Sequence, residues 1–182
     1  MQKSKGFVSA VMIIVSLAAV ACASTRTTKS PGEQVDDSVT TGRVKAALIA
    51  DPVTKAHQID VETFKGTVQL NGFVDTSASK DRAAQVAKTT KGVMAVRNNL
   101  TVKTDPRMGS EVVGDAAITT KVKAALAGDP RTKAHQVNVE TREGVVQLSG
   151  FVDNSEAKST AEELARSVDK VKSVDNELDV KK

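Results

Sequence analysis

From Arg43 to Lys103 the chain repeats itself as Lys121 to Lys181, at a constant offset of 78 and without a gap. About half of the paired positions are identical, and the best stretch is DPVTKAHQIDVETFKGTVQLNGFVD (51–75) against DPRTKAHQVNVETREGVVQLSGFVD (129–153). Upstream, Val39-Thr40-Thr41 aligns with Ile118-Thr119-Thr120, with Gly42 as a one-residue insertion. A period near 78 is too long for a solenoid unit, and two copies are too few for an array. Each copy is instead the size of a small domain, marginal alone in the core it can bury. The expectation is two tandem domains, 37–103 and 115–182, joined by a linker at 104–114.

Each copy reads helix, strand, strand, helix, strand. Val44, Ala47 and Leu48 form one apolar stripe, matched by Val122, Ala125 and Leu126. Asp51-Pro52 and Asp129-Pro130 end that helix, because the residue before proline is disfavoured in the α region. Ile59 and Val61 alternate with Asp60 and Glu62 as a half-buried strand, and Val68 and Leu70 alternate in the next. Phe64-Lys65-Gly66 turns between them, so the spacing predicts a hairpin with Gly66 and Gly144 as structural glycines. Gly72 and Gly150 interrupt the end of the second strand, which predicts a bulge or a close backbone approach. Ser77 and Ser155 are the expected N-caps of the second helix. Its buried face is Ala157, Ala161, Leu164, Ala165 and Val168, or Ser79, Ala83, Val86, Ala87 and Thr90 in the first copy. Val96, Leu100 and Val102, paralleled by Val174, Leu178 and Val180, mark the last strand. The fold class is therefore α+β. Two helices pack on one face of a three-stranded mixed sheet, and the other face is left polar or available to a partner.

Residues 1–21 read as a signal peptide: Lys3 and Lys5 precede an apolar run from Phe7 to Val20 that ends in small residues. That run is shorter than the roughly 20 residues a membrane span needs. Cys22 follows Ala21 and is the single cysteine, so no internal disulfide can form. The plainer reading is a leftover thiol; the functional one is a lipobox with Cys22 as the lipidated first residue. Lipid chains there would anchor the chain, each buried methylene contributing roughly 0.8 kcal/mol. Ala rather than Asp at position 23 favours the outer membrane. Residues 22–36 then form a lipid-anchor tether.

Composition removes several functions. There are four Phe, no Trp and no Tyr, so the stacking platforms of single-stranded nucleic-acid binders are nearly absent. The formal charge of +4 includes Lys3 and Lys5; from Ala23 onward 24 basic residues face 22 acidic ones. No strong nucleic-acid footprint remains, and nucleic acid is not an expected partner. His57 and His135 recur in AHQ, but no second His or Cys stands nearby at zinc-ligand spacing. They read as scaffold. Asp60, Glu62 and Glu140 alternate with apolar strand residues and read as a solvated face rather than a catalytic pair. No phosphate loop or GxSxG elbow appears. No enzyme, metal or cofactor is expected.

Basic residues are the remaining candidates for lipid or partner binding. Arg43 and Lys45 flank Val44, and Lys121 and Lys123 flank Val122. Lys80, Arg82, Lys88 and Lys91 decorate the second helix of the first copy. Residues 37–103 hold ten basic and six acidic side chains; residues 115–182 hold eleven and twelve. An ordinary solvated face explains this equally simply. The functional reading is a patch for anionic phospholipid head groups, each near-surface cation contributing about 1 kcal/mol.

The αββαβ order, TTKVKAAL (119–126), the VETxxGxVQLxGFVD run in both copies and a Val-x-x-Val-x-Asn-x-Leu close together resemble the BON domain, the bacterial OsmY and nodulation domain. With Cys22, the architecture resembles the tandem BON-domain envelope proteins of the outer-membrane lipoprotein type. The chain departs at Ala117, where members often carry an aromatic, and at Lys170, which replaces the glycine kept as Gly92. The resemblance implies a non-enzymatic, periplasm-facing lipoprotein that binds phospholipid or envelope protein partners and supports envelope integrity under osmotic or other stress. The alternatives are a soluble periplasmic stress-induced chaperone-like or scaffold protein, and a module anchoring an envelope assembly machine.

Overall fold

A computed structural model describes residues 31–54, 58–103 and 112–182. The first copy contains α1 (Pro31–Ala50), β1 (Ile59–Phe64), β2 (Thr67–Val74), α2 (Ser77–Thr89), β3 (Ala95–Asn98) and β4 (Thr101–Val102). The second contains α3 (Val112–Gly128), β5 (Asn138–Arg142), β6 (Val145–Val152), α4 (Ser155–Arg166) and β7 (Ser173–Val180). β1 and β2 run antiparallel, while β3 and β4 pair with β2 in parallel as two pieces of one strand. In the second copy β7 is continuous along β6. The α+β order is therefore as expected. α1 extends into the stretch read as tether, because Pro31 is well tolerated in a first helical turn, and α3 begins inside the stretch read as linker.

Repeated polar anchors explain why the two copies share so many residues. Asp37 on α1 accepts hydrogen bonds from the hairpin amides of Lys65 (2.7 Å) and Gly66 (2.9 Å). Asp115 on α3 does the same for Glu143 and Gly144. Both central residues of each turn have positive φ, 49° and 73° in the first copy, the I′ geometry that matches the twist of a two-residue hairpin. Thr54 and Thr132, buried after the first helix, donate to the carbonyls of Leu48 and Leu126 and so close its C-terminus. Asn98 and Asn176 tie the last strand to the second helix through Lys80 O and Lys158 O.

Two expectations need correction. Thr41 bonds Thr63 and Thr119 bonds Thr141, so the offset of 78 runs ungapped through α1. Gly42 is the counterpart of Thr120, not an insertion; the adjacent Thr-Thr pairs disguised the register. The N-caps are Thr76 and Asn154, whose side chains accept from Ser79 N and Ala157 N, and Ser77 and Ser155 are the first helical residues.

Each domain has its own aliphatic core. Val44, Leu48, Val61, Val68, Leu70 and Leu100 are buried in the first, and Val122, Leu126, Val139, Val146, Leu148 and Leu178 in the second. The described phenylalanines lie outside both clusters. Phe64 and Phe151 stack across the seam at 5.3 Å between ring centroids.

Candidate functional site

The sheet faces turned away from the helices pack on each other through polar side chains. Gln69 and Gln147, one at the same place in each copy, are 0% and 2% exposed. Gln69 Oε1 accepts from Gly150 N at 3.0 Å, and Gln147 Oε1 accepts from Gly72 N at 2.6 Å. Gln69 Nε2 donates to Glu177 O (3.1 Å), and Gln147 Nε2 donates to Asn99 O (2.8 Å). Residues 99 and 177 are themselves repeat partners, so the four bonds form a reciprocal clasp with two-fold symmetry. Asp179 breaks the symmetry by accepting from Gln69 and pairing with Arg97 at 3.0 Å. Buried amides of this kind must be fully bonded to be tolerated.

The clasp depends on Gly72 and Gly150, which have φ of 110° and 122°. A Cβ there would lie 2.3 Å from the carbonyl oxygen of Gln58 or Gln136. This is the close backbone approach anticipated for both positions.

Two crevices flank the clasp, related by the same pseudo-symmetry. The first, about 560 Å³, is lined by Phe64, Phe151, Lys133, His135, Asp153 and Lys181 among others. Asp153 bridges Lys133 (2.5 Å) and Lys181 (2.6 Å). Its hydrogen bonds to Lys133 and then Lys181 hold its carboxyl at about 2. An unfolded aspartate titrates near about 3.9. The stability this site adds is therefore complete above that value and is lost as pH falls toward about 2. Asp153→Asn is expected to flatten the acid-unfolding curve across that window, measured by far-UV circular dichroism; an unchanged curve would refute the assignment.

The second crevice, about 580 Å³, is lined by Asp60, Phe73, Glu140 and Arg142 among others. Where Asn138 donates to Glu62 at 3.0 Å in the first crevice, the symmetry-related residues here are Asp60 and Glu140. Partial desolvation, and then the Asp60 charge, push the Glu140 carboxyl above its ordinary range. Asp60 and Glu62 are half-buried at the seam, which corrects their reading as a solvated face.

The basic candidates lie elsewhere, on the helices. Arg43, Lys45, Lys121 and Lys123 are exposed on α1 and α3; Arg82 and Lys88 on α2, and Lys91 just beyond it, are also exposed, while Lys80 is half-buried. Lys45 approaches Asp60 at 3.8 Å, and Arg82 pairs with Asp51 at 2.7 Å, linking α2 to the end of α1. The structure thus brings the shared motif residues together at the seam and spreads the cations over the outer helices. Gly66, Gly72, Gly144 and Gly150 all adopt positive φ. Cys22 and His57 lie outside the described residues. His135 lines the first crevice, and among the described residues no group of three His, Cys, Asp or Glu could hold a metal. No described helix is long and apolar enough to cross a membrane.

The sequence reading missed Asp37, Asp115, Gln69 and Gln147. Identity between copies marks all four: Asp37 matches Asp115 once the gap is removed, and both glutamines stand in VQL.

Comparison with known proteins agrees with this architecture. The model of the BON domain matches residues 36–104 and 114–182. The chain is 43% identical over 152 residues to osmotically-inducible protein Y of Escherichia coli K12, covering 82% of this chain and 75% of that protein. It is 35% identical over 172 residues to outer membrane lipoprotein DolP of Haemophilus influenzae, covering 93% and 86%. A 21 kDa hemolysin of Actinobacillus pleuropneumoniae is 33% identical over 142 residues, covering 77% and 72%. With both repeats matched and their clasped sheets accounting for the shared motif, the chain belongs to the BON-domain family as a tandem member.

Proposed function

We propose that this is a non-enzymatic envelope protein, anchored to the outer membrane through lipidated Cys22 and facing the periplasm. Its clasped BON pair binds anionic phospholipid or envelope proteins and supports envelope integrity under osmotic stress. The observation that carries this reading is the seam. By using the polar sheet faces to join the domains, the fold leaves helices as the outward surfaces, and those helices carry Arg43, Lys45, Lys121 and Lys123. The relatives' names, one an outer membrane lipoprotein and one osmotically inducible, support the setting. An anchor also raises the effective concentration of the helices at the bilayer, so weak head-group contacts suffice.

Co-sedimentation of residues 23–182 with vesicles tests lipid binding. Pelleting with anionic but not neutral vesicles, declining with salt, is expected; equal pelleting with both, or none, would count against head-group recognition. Palmitate labelling of the native chain, abolished by Cys22→Ser, tests the anchor. The identity to an osmotically inducible protein favours a second reading, a soluble periplasmic stress protein of scaffold type, and an unlabelled native chain would select it.

A further inference from the structure

The five large hydrophobic residues most exposed among the described residues all belong to the first domain: Val35, Val39, Ile49, Val53 and Met94. Three of them lie on α1, where they join Gly42 and Ala46 at spacings of four, three, four and three. Such spacing keeps one face of a helix. It is the face opposite Val44 and Leu48, which are fully buried against the sheet. α1 is thus apolar on both sides, with one side unpartnered. Met94, 83% exposed, shares a groove with Val39 and Arg43 and so extends the stripe sideways.

In the second domain this face is reduced to smaller or polar residues at the positions that follow its start. The ungapped register pairs Val35 with Val113, but Val39, Gly42, Ala46 and Ile49 with Ala117, Thr120, Ala124 and Ala127, and Met94 with Lys172. Lys172 lies along the hairpin turn, its stem carbons about 3 Å from where a Cβ on Gly144 would sit.

We propose that the outward stripe of α1, with Met94, is the surface that enters the interfacial layer of an anionic bilayer, and that the domains have divided their roles accordingly. This rests on the lipid-binding reading and names the site for it. Two observations favour a lipid surface over another occupant. Arg43 and Lys45 lie on either side of the stripe, the arrangement by which an interfacial helix sinks its apolar face and leaves its cations among anionic head groups. Finally, α1 starts at Pro31, nine residues after Cys22. At no more than ~3.6 Å per residue, that keeps its start within roughly 30 Å of an anchored Cys22.

The chain contains no Trp or Tyr, so single tryptophans report without background. The 23–182 chain, which keeps every described residue, is to be prepared as Ile49→Trp, Met94→Trp and Ala127→Trp and titrated with vesicles of neutral and anionic lipid. The expected result is a blue shift of emission for Ile49→Trp and Met94→Trp with anionic vesicles, and none for Ala127→Trp. Val39→Ser with Ile49→Ser is expected to weaken partition about tenfold or more, by loss of apolar burial. Pelleting with anionic vesicles while Ile49→Trp stays unshifted, or while Ala127→Trp alone shifts, would overturn the proposal and leave lipid binding standing. Absence of pelleting with any vesicle would overturn both. A blue shift without vesicles, accompanied by a dimer in sedimentation velocity, would assign the stripe to a second copy and overturn the proposal.

Discussion

Gly150→Ala is expected to lose much of the protein's stability, far beyond what one methyl group suggests. A Cβ at residue 150 would meet Gln136 O at 2.3 Å, and the φ of 122° is unfavourable for any side chain. Backbone strain of that sort costs about 1–3 kcal/mol. Relieving it means moving the strand, and the Gly150 amide donates to the buried Gln69. Orphaning that pair costs about a further 1–3 kcal/mol. Against a typical total of roughly 5–15 kcal/mol, the variant should show a sharply lowered urea midpoint by circular dichroism. Gly42→Ala is the control. Nothing lies within 4 Å of its added Cβ, which sits inside α1, so a gain of about 0.5–1 kcal/mol is expected. Equal midpoints for the two variants would refute the steric argument.

Gln69→Leu combined with Gln147→Leu is expected to uncouple the domains. Gln147→Leu alone strands Gly72 N and Asn99 O; Gln69→Leu strands Gly150 N, Glu177 O and a bond to Asp179. Each orphaned group costs about 1–3 kcal/mol if it stays dry, so the seam should open to water instead. The intact chain is expected to unfold in one calorimetric transition and the double variant in two, since each domain keeps its own core. The single variants belong to one network, so their effects should not add. One transition at an unchanged midpoint in the double variant would show that the clasp does not couple the domains.

Most of the fold was legible because it is local. The alternation around Val61 and Val68 and the stripe at Val44 and Leu48 follow from neighbours in sequence and appear in the structure; the turn expected at Phe64-Lys65-Gly66 appears as well, shortened to Lys65-Gly66 because Phe64 is still paired in β1. The seam was not legible in the same way. Gln69 stands on the polar side of an alternating strand, a place that reads equally as solvent-facing. Its partners, Gly150 and Glu177, are far along the chain, and no periodicity links them. The register error at Gly42 has a related cause. Two Thr-Thr pairs one position out of phase look like a match until the long-range bonds from Asp37 and Asp115 to their turns set the alignment. Seven of the eight candidate cations are exposed on or beside the helices, and Lys80 is half-buried. Their apolar neighbours on α1 escaped notice, because an exposed Val or Ile cannot be told from a buried one by identity alone.

The back-to-back packing of the sheets has a spatial corollary. Helices cover the face of each sheet turned away from the seam, so the two helical layers lie on opposite sides of it. A flat surface that touches α1 leaves α3 and α4 pointing away from it, on the far side of the molecule. The duplication therefore makes a two-sided object from a one-sided domain, able to rest one side on a support while holding the other out to whatever passes.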